Sequence, residues 1–151
     1  MLQLARQQDL EAVNALALQA HDIHVRWRPD LFEPVTEPYP QERFEEAVSQ
    51  RQLYVAKIEE AIVGYVFLRK SECDWPGAVK RRIMIVDEFC VHESCRNQGM
   101  GKAMMADVRA LAVAFGCTDL QLGVYPQNDA AVVFFQKCGF TIQKIQMQRT
   151  V

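Results

Sequence analysis

The chain has 151 residues, 50% of them hydrophobic and 24% charged, which suits one domain over residues 1–151 with a sizeable core and argues against disorder. Seventeen basic and nineteen acidic residues give a net charge of -2, so nothing favours a general nucleic-acid or anionic-membrane partner. No apolar run approaches the roughly 20 residues of a membrane helix, and the first residues lack a basic-then-apolar secretion pattern, which fits a cytoplasmic protein.

Met1 to Gln7 alternates apolar and polar residues as a short strand would. Asp9 is a suitable N-cap for a helix from Leu10 to Asp22, with Leu10, Val13, Leu16, Ala17 and Ala20 on one face. His24 to Pro40 is aromatic, charged and punctuated by prolines, as a loop or broken helix would be. Pro40 suits the first position of a helix over Gln41 to Ser49. Gln52 to Lys57 and Ile62 to Arg69, rich in β-branched and aromatic residues, predict a hairpin. Lys70 to Val79 then connects to a central strand, Lys80 to Val91.

A helix from Lys102 to Phe115 closes at Gly116, and a strand covers Asp119 to Val124. Tyr125 to Gln127 is a loop, and Asp129 to Lys137 a helix ending at Gly139. The phase of Ile142 against Ile145 and Met147 predicts two short final strands joined near Gln143 and Lys144. Cys73, Cys90, Cys95, Cys117 and Cys138 contain no C-x-x-C pair, and their odd number fits a reducing compartment. His21 with His24, and Cys90 and His92 with Cys95, match no common zinc spacing, so no metal is expected.

Arg96-Asn97-Gln98-Gly99-Met100-Gly101-Lys102 lies between the central strand and a long helix. A helix start leaves backbone N–H groups without intrahelical partners and carries partial positive charge, so it suits a phosphate. A Cβ at Gly99 or Gly101 would hold a pyrophosphate away or resist a left-handed backbone, while Arg96 and Lys102 add full charges. The Walker pattern fails because Gly101-Lys102 precedes Ala103 and position 96 is Arg, and the dinucleotide fingerprint fails at Met104.

Arg96-x-x-Gly99-x-Gly101 resembles the acetyl-coenzyme A loop of the GNAT superfamily of N-acetyltransferases. Asn128-Asp129-Ala130-Ala131-Val132-Val133-Phe134-Phe135, running on to Gly139-Phe140, resembles a second family segment, in the order the family has them. The resemblance spans nearly the whole chain. It implies an α/β single-domain fold: a mixed, mostly antiparallel twisted sheet of about six to seven strands, splayed at its centre, with about four helices on both faces.

It also implies transfer of an acetyl group from acetyl-CoA to a primary amine of a small molecule or peptide, by direct attack in a ternary complex. The pyrophosphate would sit on the Gln98 to Lys102 backbone beside Arg96 and Asn97, and the pantetheine arm would pair with Phe89, Cys90 and Val91. The Cys90 or Val91 N–H can meet the thioester oxygen. Asn128 would bind that arm, cap the following helix, or both. Phe134 and Phe135 would line the coenzyme or the core. The family's region after the first helix lies over the acceptor, so Trp27 and Phe32 either wall the pocket or cap the core.

An alkyl ammonium has a pKa near 10.4, so a base is useful, and Asp87 and Glu88 are the candidates. Strand alternation puts Asp87 with Phe89 and Val91, and Glu88 with Val86 and Cys90. The family's strand carboxylate falls more naturally on Glu88, with Asp87 second; both carboxylates merely paired with Arg81 or Arg82 is the structural alternative. Phe135 replaces the family's acidic tyrosine, leaving Tyr125 or a water to protonate the departing thiolate. Cys90 or Cys95 as a nucleophile is less favoured than a buried apolar role. Phe135 also keeps open a second function, a catalytically weak CoA-binding sensory or regulatory module. The acceptor's identity is not legible, and exposed final strands suit a homodimer.

Overall fold

Alternating apolar residues organise the sheet, and the structure, a computed structural model describing residues 1–151, shows how both faces are covered. The strands are β1 (Leu2–Leu4), β2 (Leu53–Ile58), β3 (Ala61–Cys73), β4 (Arg81–Val91) and β5 (Asp119–Leu122), in the order β1-β2-β3-β4-β5. The first four pair antiparallel, and β5 is parallel to β4. A parallel neighbour needs a crossover, here α3 (Met100–Ala114).

In β2, Leu53 and Val55 point to a core shared with α1 (Leu10–Trp27) and α2 (Gln41–Ser49). Tyr54 and Ala56 point to the opposite core, where Met104, Met105 and Val108 of α3 and Phe135 of α4 (Asp129–Lys137) close the sheet. The carboxylate of Asp107 on α3 accepts the Leu2 N–H at 2.7 Å, fastening the edge strand to the crossover helix.

Several boundaries move. The first strand is three residues rather than seven, and α1 continues past Asp22 to Trp27. Residues 23–27 contain no helix breaker; the stop is Pro29, which drives Arg28 out of the helical region, to φ -136°. Asp9 does not cap α1 through its side chain. Its carboxylate, which is buried, accepts the Arg6 N–H at 2.8 Å and pairs with the partly buried Lys57 Nζ at 2.9 Å. β3 reaches Cys73 because the polar Lys70-Ser71-Glu72 stretch forms the exposed end of a long hairpin with β4, crossed by an Arg82–Glu72 pair.

The expected final hairpin is absent, so the sheet has five strands, not six or seven. Residues 141–151 are all exposed and form no strand. Alternation makes a segment fit for a strand without providing a partner, and an isolated two-stranded hairpin is at best marginal in water.

Gly64 marks a close approach of β3 to β4 and α3. A Cβ there would lie 2.7 Å from the Cys90 carbonyl oxygen and 2.8 Å from Met104 Sδ. We expect Gly64→Ala to cost about 2 kcal/mol, as overpacking does. Thermal unfolding followed by circular dichroism checks this: the midpoint should fall by several degrees, and an unchanged midpoint would mean that β4 yields freely.

Candidate active site

The β4–β5 ladder runs from Ile83 opposite Asp119 to Val86 opposite Leu122 and then ends. From Asp87 onward β4 pairs with β3 alone, so the two parallel strands part and leave one side of the Asp87–Val91 backbone without a neighbouring strand. The segment after β4 turns through Glu93–Cys95 into the exposed run Arg96 to Gly99.

That turn is held by its own side chains. Gln98 Nε2 donates to the Ser94 carbonyl at 2.7 Å, and Arg96 Nε to the Val91 carbonyl at 3.0 Å. Asn97 and Gly99 have left-handed backbones, φ 60° and 85°, which Asn tolerates better than most residues and Gly adopts freely. The first helical bond of α3 runs from the Ala103 N–H to the Gly99 carbonyl. The amides of Gly99 to Lys102 precede it and have no acceptor in the chain, the normal state of a helix start and a ready anion cradle.

The two loop glycines do different work. A Cβ on Gly99 would meet nothing within 4 Å, so only its left-handed backbone and the open space before it call for glycine. A Cβ on Gly101 would come within 3.1 Å of the Phe134 ring. Gly101 therefore admits α4 against the first turn of α3, rather than chiefly admitting an anion.

The carboxylates separate through a bulge. Leu68 faces Val86, but Phe67 faces Glu88, so Asp87 is an extra residue in β4. Val86, Phe89 and Val91 consequently lie on the α3–α4 face and Cys90 on the α1–α2 face. Simple alternation correctly pairs Glu88 with Cys90, but wrongly adds Val86, because the bulge reverses the phase at Asp87. Neither carboxylate uses the anticipated partners Arg81 or Arg82. Asp87 binds Arg69 through 2.9 and 3.1 Å hydrogen bonds.

Glu88 is half-buried and receives the Tyr65 hydroxyl at 2.7 Å and an Arg43 N–H at 3.1 Å. Arg43 in turn lies 4.3 Å over the Tyr39 ring, and the buried Tyr39 hydroxyl has no hydrogen-bond partner. Burial first, and the Glu88 charge second, push the Tyr65 and Tyr39 phenols well above their usual range, so both remain protonated and Tyr65 is the one that donates to Glu88.

Tyr125 lies in an aromatic cluster beside this network. His24 stacks on Phe32 at 5.4 Å between ring centres, Tyr125 packs 5.8 Å from both rings, and the Arg28 guanidinium is 5.8 Å from the Tyr125 ring. Phe32 belongs to neither core cluster, nor does Trp27, whose ring is 6.0 Å from His24. Both therefore line this surface rather than cap the core. Burial and the neighbouring His21 lower the His24 pKa, opposed by the Glu88 charge.

Asn128 caps α4, accepting the Ala131 N–H at 3.2 Å. Phe135 is buried among Phe89, Phe134 and Phe140, with ring centres 5.1 to 5.8 Å away. Cys90 is buried with its thiol 3.6 Å from the Leu16 carbonyl, and burial raises its pKa to about 11, unsuited to a nucleophile at neutral pH. No three His, Cys, Asp or Glu side chains converge as a metal site.

The loop, the parted strands and the half-buried glutamate stand beside what is known of similar proteins. The Acetyltransferase (GNAT) family matches residues 4–140. The chain belongs to this family. Its GNAT fold superposes on the F44R mutant of the BH1408 protein from Bacillus halodurans with TM-score 0.94 and 27% identity, covering 100% of this chain and 99% of that one. A transcriptional regulator from Bacillus halodurans C-125 gives 0.77 and 22%, with the same coverage. The aminoglycoside N-acetyltransferase AAC(6')-Iy in complex with CoA gives 0.72 and 16%, again over 100% and 99%, a likeness of fold. Among curated proteins no sequence matches.

Sequence reasoning did not find Arg43, Tyr39, Tyr65 or His24 as the surroundings of Glu88. Only the bulged register brings Tyr65 and Glu88 to one face, and no local pattern in a charged helix marks Arg43.

Two measurements check this electrostatic description. Iodoacetamide at pH 8, followed by peptide mapping, should leave Cys90 unmodified in the folded chain; rapid labelling would contradict its raised pKa. By proton NMR, His24 should titrate below its ordinary 6.5. A histidine depressed in this way contributes stability above its unfolded pKa and loses it as pH falls through the folded value. Glu88→Gln should move the His24 midpoint lower still, since the Glu88 charge holds it up; an upward shift would overturn that coupling.

Proposed function

We propose that this GNAT protein transfers the acetyl group of acetyl-CoA to a primary amine of a small molecule or peptide, by direct attack within a ternary complex. The observation that carries the proposal is the coincidence of an unpartnered β4 edge, a helix start with free amides, and Glu88 turned to the other face by the bulge. The fold likeness to AAC(6')-Iy, solved with CoA and with a bisubstrate analogue, supports a coenzyme on this scaffold.

The pyrophosphate rests on the amides from Gln98 to Lys102, with the Arg96 and Lys102 charges beside it and Asn97 holding the turn. The pantetheine arm lies as an added strand along Phe89 to Val91, with Asn128 fixing the start of α4 next to it. The amine nitrogen attacks the thioester carbon, the C–S bond breaks, and coenzyme A leaves as a thiolate. Glu88, directly or through water, takes the proton of the entering ammonium so that a neutral nitrogen attacks; attack makes that nitrogen cationic again and far more acidic, and the proton it then sheds passes to the thiolate. Arg43, half-exposed on the same carboxylate, gives way to the incoming ammonium. Asp87, held by Arg69, is the lesser candidate for this role.

The thiolate needs little help, because thiols ionise near pH 8.5, and Phe135 offers none. Tyr125 supplies the proton or a water does. The buried Phe135 also favours the second reading, a CoA-binding sensory or regulatory module with weak chemistry. The five free cysteines accord with a cytoplasmic setting.

Calorimetric titration with acetyl-CoA, followed by thiol release in the presence of an amine panel, separates the readings. We expect binding and amine-dependent release, and a fall in kcat of about 100-fold in Glu88→Gln at unchanged coenzyme affinity, the usual scale of a lost general base. Binding without release for any amine would favour the sensory reading, and absence of binding would remove both.

A further inference from the structure

Beside Glu88 stand one cation that its surroundings hold without needing the carboxylate and one hydroxyl with no partner. Arg43 is anchored three times: one N–H on the Pro38 carbonyl at 2.7 Å, another on Glu88 Oε1 at 3.1 Å, and its guanidinium 4.3 Å over the Tyr39 ring. Two of those anchors do not involve Glu88, so the guanidinium stays at the site when the carboxylate turns to another cation. Beneath it the Tyr39 hydroxyl is buried and unpaired, although Tyr39 lies close enough to Glu88 to feel its charge. A buried hydroxyl left in this state is costly, and a guest that bonds to it removes the cost.

Charge balance says what the guest carries. Glu88 and Arg43 form one ion pair, Asp87 and Arg69 a second, and Asp30 and Arg28 a third. A bare ammonium that displaces Arg43 leaves a guanidinium without a partner, whereas a guest with its own carboxylate turns one ion pair into two. Arg28 does not compete for that carboxylate, because it already holds both oxygens of Asp30, at 2.8 and 2.6 Å.

The third element is aromatic. Helix α1 passes over β4, its Leu16 carbonyl 3.6 Å from the Cys90 thiol, and about two turns further on His24 feels the Glu88 charge. His24, Trp27, Phe32 and Tyr125 are each only partly buried there and present ring surface. Rings already arranged in stacked and edge-to-face pairs suit one ring more.

Resting on the acetyl-transfer reading, we propose that the acceptor is a free aromatic α-amino acid. Its ammonium takes the Glu88 oxygen that Arg43 now holds, its carboxylate takes the Arg43 guanidinium, and its side chain packs on the His24, Phe32 and Tyr125 rings. Glu88 removes one proton from the ammonium, the nitrogen attacks the thioester carbon, and an N–C bond forms as the C–S bond breaks. The second proton passes to the thiolate. The N-acetyl amino acid keeps its negative charge and has lost its positive one, so its hold on Glu88 is gone.

Thiol release with acetyl-CoA present, and mass spectrometry of the product, compare L-phenylalanine and L-tryptophan with phenethylamine, L-alanine and spermidine. The aromatic amino acids should give the highest kcat/KM. In Arg43→Gln, KM for L-phenylalanine should rise about 30-fold, the scale of a lost hydrogen bond between charged groups. KM for phenethylamine should fall in the same variant, because the competing guanidinium is gone. Phe32→Ala should narrow the preference for L-phenylalanine over L-alanine about 10-fold. Phenethylamine, L-alanine or spermidine used better than the aromatic amino acids would overturn the proposal and leave acetyl transfer standing. An Arg43→Gln variant that weakens every acceptor alike would overturn it too, since a merely structural arginine behaves so. Release with no amine at all would remove the proposal together with the reading beneath it.

Discussion

The parting of β4 from β5 after Val86 is the constraint on which the site depends. A sheet satisfies its backbone through neighbours, and each unpaired strand edge either meets water or receives something shaped like a strand. Here the exposed edge lies inside the fold, between a helix start on one side and the Asn128-capped start of α4 on the other. Covering both faces of the sheet with helices leaves that notch as the natural place for a long extended ligand with an anionic end. The bulge at Asp87 belongs to the same event, because the residue inserted where pairing changes also turns Glu88 towards α1 and α2.

Charge is handled differently on the two faces. On the α1–α2 side, Glu88 is held by one neutral donor and one cation, Tyr65 and Arg43, and is ringed by aromatic surface from Tyr39. The Tyr65 bond fixes one carboxylate oxygen on a rigid strand, whereas the Arg43 pair is half-exposed, and such pairs contribute at most about 1 kcal/mol. One oxygen is therefore committed and the other exchangeable. On the α3–α4 side the phenyl rings of Phe89, Phe134 and Phe135 pack against one another instead.

Much of this was legible in the residues. The glycine turn, the helix it opens and the capping Asn128 follow from local rules about backbone conformation and orphaned amides, and they stand close to where the sequence puts them. The surroundings of Glu88 were not legible, because Tyr65 and Arg43 reach it through strand register and helix docking, neither of which leaves a short-range trace. Alternation misplaced Val86 relative to Glu88, since one inserted residue reverses every later side chain in the strand. The tail failed in the opposite way: its pattern is that of a strand, but it pairs with no strand of the sheet.

The contact between Gly101 and Phe134 joins two segments that the sequence keeps apart. Because a single hydrogen on one side is what lets the ring on the other come close, volume at these positions is shared. A Cβ at residue 101 would press the Phe134 ring back by a few tenths of an ångström, so added volume in the loop is felt in the last helix as well.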